Sequence, residues 1–154
     1  MISFDGLPEG AQALTPYLTV KDGNKMVDFY QKAFGAEVIG IHHVPDTDLI
    51  MHGALKIGGS QFFVNDEFPQ FGKFAPATTG QTSTTIHIQL AQGLDEFYAR
   101  AVASGATGLM EPADQFWGDR FAVIVDPSGH HWSIGMVIAN PPEMNPEEIK
   151  QMLS

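Results

Sequence analysis

Apolar residues recur along this chain in two rhythms, and both rhythms occur twice. Residues 14–20, LTPYLTV, put Leu14, Leu18 and Val20 on one parity, the spacing of a strand with one packed face. Met26, Phe29, Tyr30, Ala33 and Phe34 then fall at i, i+3, i+4, i+7 and i+8, a helical stripe that Asp22 or Asn24 can cap and Gly35 stops. Strands are predicted over 37–44, 49–57 and, after the Gly58-Gly59 turn, 60–65. The order β-α-β-β-β then returns. Residues 84–91 read as a strand, and Leu94, Phe97, Tyr98, Ala101 and Val102 repeat the stripe up to a stop at Gly105. A strand starts at Thr107, and 118–136 supply two more. Met26 matches Leu94 and Gly59 matches Gly129, at offsets of 68 and 70 residues, which an internal duplication explains.

The segment 118–136, GDRFAVIVDPSGHHWSIGM, predicts a β-hairpin. Its turn is Asp126-Pro127-Ser128-Gly129, where Pro presets φ at the second position and Gly closes the fourth. In the second strand Trp132, Ile134 and Met136 share one parity and His131, Ser133 and Gly135 the other. If the apolar parity of every strand packs under its helix, the opposite parity forms a second face. That face comprises Thr15, Tyr17 and Thr19; His52 and Ala54; Gln61, Phe63 and Asn65; Thr85, His87 and Gln89; Arg120 and Ala122; and the His131 set. Half-exposed antiparallel sheets are common, so solvent is one possible neighbour of such a face. Tyr17, Phe63 and His87 in mid-strand, mixed with hydrogen-bonding groups, suit a ligand pocket better.

Composition narrows the partner. With 18 acidic against 8 basic residues, a formal net charge of −10 disfavours nucleic acid and anionic membranes, so a small molecule is the expected partner. The absence of Cys excludes disulfides, thiolate zinc sites and a Cys nucleophile. No apolar run approaches membrane-spanning length and the first residues carry no signal-peptide pattern, which predicts a cytoplasmic protein.

The two βαβββ units, with TPYLTVKD and DFYQKAFGAE in the first and GDRFAVIVDPSGHHWSI closing the second, resemble the vicinal oxygen chelate superfamily. That superfamily includes glyoxalase I, bleomycin-resistance proteins and extradiol dioxygenases. DEFP at 66–69 and WGDR at 117–120 resemble its PhnB-like branch. The resemblance implies an α+β fold of two βαβββ modules, eight strands in a curled mixed sheet with helices outside and a site on the concave face. The modules are predicted at 14–66 and 84–138, with a leader at 1–13, a connecting loop at 67–83 and a C-terminal extension at 139–154. The family's metal positions fall on Thr15, Phe63, His87 and Ser133, of which His87 alone is a strong ligand. A site of fixed geometry needs at least three donors, so a divalent metal is not supported at those positions.

The expectation is therefore a small-molecule binder of bleomycin-resistance type, with a small organic ligand, neutral or anionic, and no usual metal centre. The alternative is a divalent-metal-dependent lyase, isomerase or dioxygenase with a rearranged site on His52, His87 and His131. His52 and His87 are candidate catalytic groups, able to orient a ligand oxygen or act as general base. Arg120 is the candidate anion clamp, its structural alternative being an ion pair with Asp119 or Asp114. Tyr17, Gln61, Phe63, Gln89, Trp117, His131 and Ser133 are candidate ligand contacts. The loop carries Phe68, Phe71 and Phe74, and the C-terminal helix, with Asn145 as cap and Pro146 at its first position, adds Met152 and Ile149. So many apolar groups outside the modules predict a homodimer, or a loop closed over the cleft.

Overall fold

The computed structural model describes all residues 1–154. The first module consists of β1 (Tyr17–Val20), α1 (Gly23–Phe34), β2 (Glu37–His43), β3 (Ile50–Ile57) and β4 (Ser60–Asp66). After a 3-10 turn at Pro69–Phe71 and the short α2 (Pro76–Thr79), the second module runs β5 (Thr85–Leu90), α3 (Leu94–Ala103), β6 (Thr107–Asp114), β7 (Asp119–Val125) and β8 (His131–Val137). Helix α4 (Pro146–Met152) ends the chain. Sequence periodicity located every strand and helices α1 and α3, and the Asn145-Pro146 cap pattern located α4. Periodicity missed α2, whose four residues are too short to show a stripe. No helix is long and apolar enough to cross a membrane.

Each module forms one mixed sheet, ordered β1-β4-β3-β2 and β5-β8-β7-β6, and no ladder joins the two. In each, the first strand runs parallel to the last. Tyr17 pairs with Phe63 and His87 with Ser133, so the duplication holds in register at an offset of 70 residues. Tyr17, not Thr15, is thus the counterpart of His87; Thr15 lies ahead of β1.

A common core of both modules joins the sheets instead. Leu18, Val20, Leu55, Phe62 and Val64 from one sheet and Ala122, Ile124, Trp132 and Ile134 from the other lie under α1 and α3. Phe34 stacks on Phe97 at 5.4 Å between centroids, and Trp132 packs at 4.9 Å on Phe34 and 5.8 Å from Phe62. Each such buried side chain contributes about 1.5–3 kcal/mol relative to exposure.

Two buried carboxylates lock this arrangement. Asp126, in the predicted turn, accepts from the Tyr30 hydroxyl at 2.7 Å, Trp132 Nε1 at 2.9 Å, and the backbone N–H groups of Ser128 and His130. It thereby ties α1 of the first module to the hairpin of the second. Asp66 accepts from the N–H groups of Gly23 and Ile50, both at 2.7 Å. The cap of α1 thus comes from the end of β4; Asp22 itself adopts a left-handed conformation and caps nothing with its side chain. At α4 the predicted cap is present, with Asn145 accepting from the Glu147 and Glu148 N–H groups at 3.0 Å in a capping box.

Candidate functional site

The faces turned away from the core carry the predicted second parity, with one strand corrected. In β7 it is Ala122 and Ile124 that are buried, and Phe121 and Val123 that pair with Gly135 and Ser133 on the open face. Arg120 therefore points to the helix side. Its guanidinium grips Asp95 in the first turn of α3 through Nε at 2.6 Å and an Nη at 2.8 Å, and reaches Asp114 at 2.9 Å. The Asp114 ion pair was the structural alternative, and Asp95 went unforeseen. This pairing lowers the Asp95 pKa below its ordinary value and raises that of Arg120. FAVIV is apolar on both parities, so alternation alone does not fix which face Arg120 takes. Its hairpin register supplies the missing signal: across the turn Val125 pairs with His131, so Val123 and Phe121 share the face of His131.

The first module presents an aromatic corner. Tyr17, His52 and Phe63 meet edge to face, with centroids 4.7–5.5 Å apart. The Tyr17 hydroxyl and His52 Nδ1 are hydrogen-bonded at 2.9 Å, which leaves His52 Nε2 without a partner in the protein. Desolvation raises the Tyr17 pKa and keeps the phenol protonated. His42 lies directly across the ladder from His52 and is exposed. Gln61, a predicted ligand contact, is engaged elsewhere. Its side chain donates to the Gly10 carbonyl at 2.8 Å, and Gln12 of the leader pairs with its backbone.

The second module presents a polar set at the equivalent place. His87 Nε2–H donates to Gln89 Oε1 and Nδ1 accepts from the Ser133 hydroxyl, both at 2.8 Å. Gly135 leaves room for this: a Cβ there would stand 2.8 Å from His87 Cε1 and 3.0 Å from Gln89 Oε1. Behind the imidazole lies Phe121, parallel to within 14° at 6.2 Å, and Trp117 meets Phe121 edge-on at 5.5 Å. Trp117 is half exposed, so this wall runs from solvent to His87.

The two halves meet at the seam between β1 and β5. A cavity of about 510 Å³ there is lined by Tyr17 from one module and His87 and His131 from the other. A second lobe of about 630 Å³ shares Tyr17, Thr82 and His130 with it and is walled by Phe74 of the connecting loop. The loop is held in place. Ala77 N–H donates to the Ser128 carbonyl at 2.8 Å, and the Ser128 hydroxyl accepts from Lys21 N–H at 2.9 Å. His130 Nε2–H donates to the Thr19 carbonyl at 2.7 Å. The turn at 126–129 is thus a three-way junction of β1, the hairpin and the loop. Gly129, at φ +87°, is required there because a Cβ would lie 2.7 Å from Ala77 N.

These residues do not fit a divalent metal centre. The register-equivalent positions hold Tyr17, Phe63, His87 and Ser133, and both nitrogens of the single imidazole are occupied by Ser133 and Gln89. His52 is hydrogen-bonded to Tyr17, and no three His, Asp or Glu side chains converge as a metal-holding group. The rearranged site on His52, His87 and His131 is therefore not assembled.

The chain belongs to the Glyoxalase/Bleomycin resistance protein/Dioxygenase superfamily, whose family model matches residues 12–134. The uncharacterized protein Mb0911c of Mycobacterium bovis is 42% identical over 145 residues, covering 92% of each chain. Among solved structures, a glyoxalase/bleomycin resistance protein/dioxygenase family enzyme from Burkholderia phytofirmans superposes with a TM-score of 0.65 at 20% identity, over 83% of this chain and all of that one. The PhnB protein of Bacillus cereus superposes with a TM-score of 0.63 at 16% identity, over 82% of this chain and all of that one. At such identities the superpositions establish the fold, and the likeness to PhnB is distant.

Proposed function

We propose that this chain binds a small organic molecule at the β1–β5 seam without a metal centre, in the manner of a PhnB-like or bleomycin-resistance-type binding protein. The observation that carries this reading is the content of the four duplicated positions. Tyr17 and Phe63 contribute aromatic surface, and His87 and Ser133 contribute a hydrogen-bonded pair, where a metal enzyme needs several free donors. The ligand's planar body lies against Tyr17 and Phe74, and its polar groups meet His52 Nε2 and the His87–Gln89–Ser133 set. Trp117 and Phe121 extend the apolar wall at the second module.

Ligand binding is expected to change the fluorescence of half-exposed Trp117, in a saturable titration that EDTA does not alter. Tyr17→Ala should abolish saturation. Protein dialysed against Ni²⁺, Zn²⁺, Mn²⁺ and Fe²⁺ should retain none of them stoichiometrically by elemental analysis. Retention of one equivalent that His87→Ala removes would refute the metal-free reading and restore lyase, isomerase or dioxygenase chemistry.

A further inference from the structure

We infer that the ligand of the seam carries an oxyanion, a carboxylate or phosphonate on an aromatic body, and that Lys73 of the connecting loop recognises it. This rests on the ligand-binding reading above and names the chemical class that the site takes. Between β4 and β5 the loop has two ionisable side chains, Glu67 and Lys73, and Asp66 ends β4 just before them. Both acids are bound to backbone donors, Asp66 to Gly23 and Ile50 and Glu67 to Ala75 N–H at 2.9 Å. Lys73 has no such partner. It is absent from the protein's five ion pairs, and its ammonium stands 5.7 Å from the centroid of the Tyr17 ring. Lys73 lines neither lobe itself; it places a cation over the face of Tyr17, which lines both.

The surroundings agree in charge and in donors. The chain has 18 acidic residues, yet none lines either lobe of the seam. They line other hollows, such as the one at the start of α1 with Asp22, Asp48, Asp66 and Glu67. In the loop-side lobe Thr82 accepts from Thr84 N–H and keeps its own hydroxyl proton free, and the Ser83 hydroxyl and Gln81 amide make no hydrogen bond within the protein. Two hydroxyls and an amide with no carboxylate among them, in a lobe walled by the ring that carries the Lys73 ammonium over its face, form a donor set for an oxyanion. Arg120, the basic side chain that strand parity first suggested for this task, is neutralised on the far side of the sheet by Asp95 and Asp114.

The test uses the full chain and three probes with one ring and three charges: 4-fluorobenzoate, 4-fluorobenzamide and 4-fluorobenzylamine, followed by ¹⁹F transverse relaxation. The benzoate is expected to bind roughly fivefold more tightly than the amide, and the amine most weakly, with the preference shrinking at high salt. Lys73→Gln should erase the preference and Lys73→Arg should keep it; Lys73 is exposed, so both variants fold. Equal binding of benzoate and amide, or a preference that survives Lys73→Gln, would overturn the inference. If in that case Tyr17→Ala still abolishes binding, the seam remains a ligand site of different charge preference. Absence of binding by all three probes would overturn both this inference and the reading beneath it.

Discussion

Replacing Asp126 by Ala is the most informative single perturbation of this fold, because one buried carboxylate there serves four donors from two modules. Asp126 is 3% exposed, Tyr30 0% and Trp132 1%, so deletion leaves the Tyr30 hydroxyl and the Trp132 indole N–H without partners and out of reach of water. A buried orphaned donor costs about 1–3 kcal/mol. The two side chains together therefore cost about 4 kcal/mol, and the Ser128 and His130 N–H groups in the turn add about 1 kcal/mol more. Against a typical total stability of about 5–15 kcal/mol, the variant should be marginal or unfolded. Asp126→Asn keeps the shape but turns an NH₂ toward one of the donors, so about half that loss is expected. Tyr30→Phe leaves the carboxylate three donors and should cost about 1–2 kcal/mol, and combining it with Asp126→Ala should add almost nothing. Burial, then the neighbouring Asp126 charge and hydrogen bond, hold the Tyr30 phenol well above its ordinary 10.0. A raised folded pKa means that this stability is complete below pH 10 and is lost as pH climbs from there toward the folded value. Tyr30→Phe should flatten that alkaline limb. Urea melts followed by both circular dichroism and tryptophan fluorescence, at neutral pH and above pH 10, measure all of this. A loss under 1 kcal/mol for Asp126→Ala would refute the claim that this carboxylate holds the modules together.

Asp66→Ala removes the acceptor for both Gly23 and Ile50 N–H and should destabilise the chain by about 2–4 kcal/mol in the same urea assay, with Asp66→Asn intermediate. Arg120→Gln should leave the affinity of a seam ligand unchanged in the fluorescence titration; a large loss would mean that Arg120 reaches the open face after all. The lowered Asp95 pKa gives the wild type stability that is present above the ordinary carboxylate pKa and lost as pH falls through the folded value. The acid limb of a Tm–pH profile should therefore be shallower in Arg120→Gln. Gly135→Ala should displace His87 and Gln89 and weaken ligand binding several-fold with little change in Tm, since the new methyl meets the movable ends of two side chains. Sedimentation equilibrium is expected to return twice 16.7 kDa, because Phe71, Leu109, Val137 and Leu153 are all more than half exposed; a monomer at micromolar concentration would refute a homodimer.

The duplicated βαβββ order was legible in the sequence for a local reason. Strand alternation and helical stripes are set by which residues meet a core, so Met26 to Phe34 and Leu94 to Val102 announce themselves twice, and Leu18, Val20, Trp132 and Ile134 show which face is packed. The scarcity of metal ligands was equally a matter of residue identity at repeated positions. Face assignment failed where identity is silent: both parities of FAVIV are apolar, and pairing across the hairpin decided for Phe121 over Arg120. The Gln61 side chain's bond to the Gly10 carbonyl was not legible either, because the two residues lie 51 positions apart.

What only the tertiary structure decided is the set of contacts between groups distant along the chain. Asp126 finds Tyr30 across 96 residues, Ser128 finds Lys21 across 107, and Asp66 caps a helix that begins 43 residues before it. Nothing in the neighbourhood of an Asp or Lys tells whether it will be capped, paired or left free, because its partner depends on how two separately periodic modules pack around a common core. Lys73 over Tyr17 and the seam lobes belong to the same category. The sequence by itself determined the modules and the chemistry each brings; their docking determined which of those groups were neutralised in holding the halves together and which remained open to a ligand.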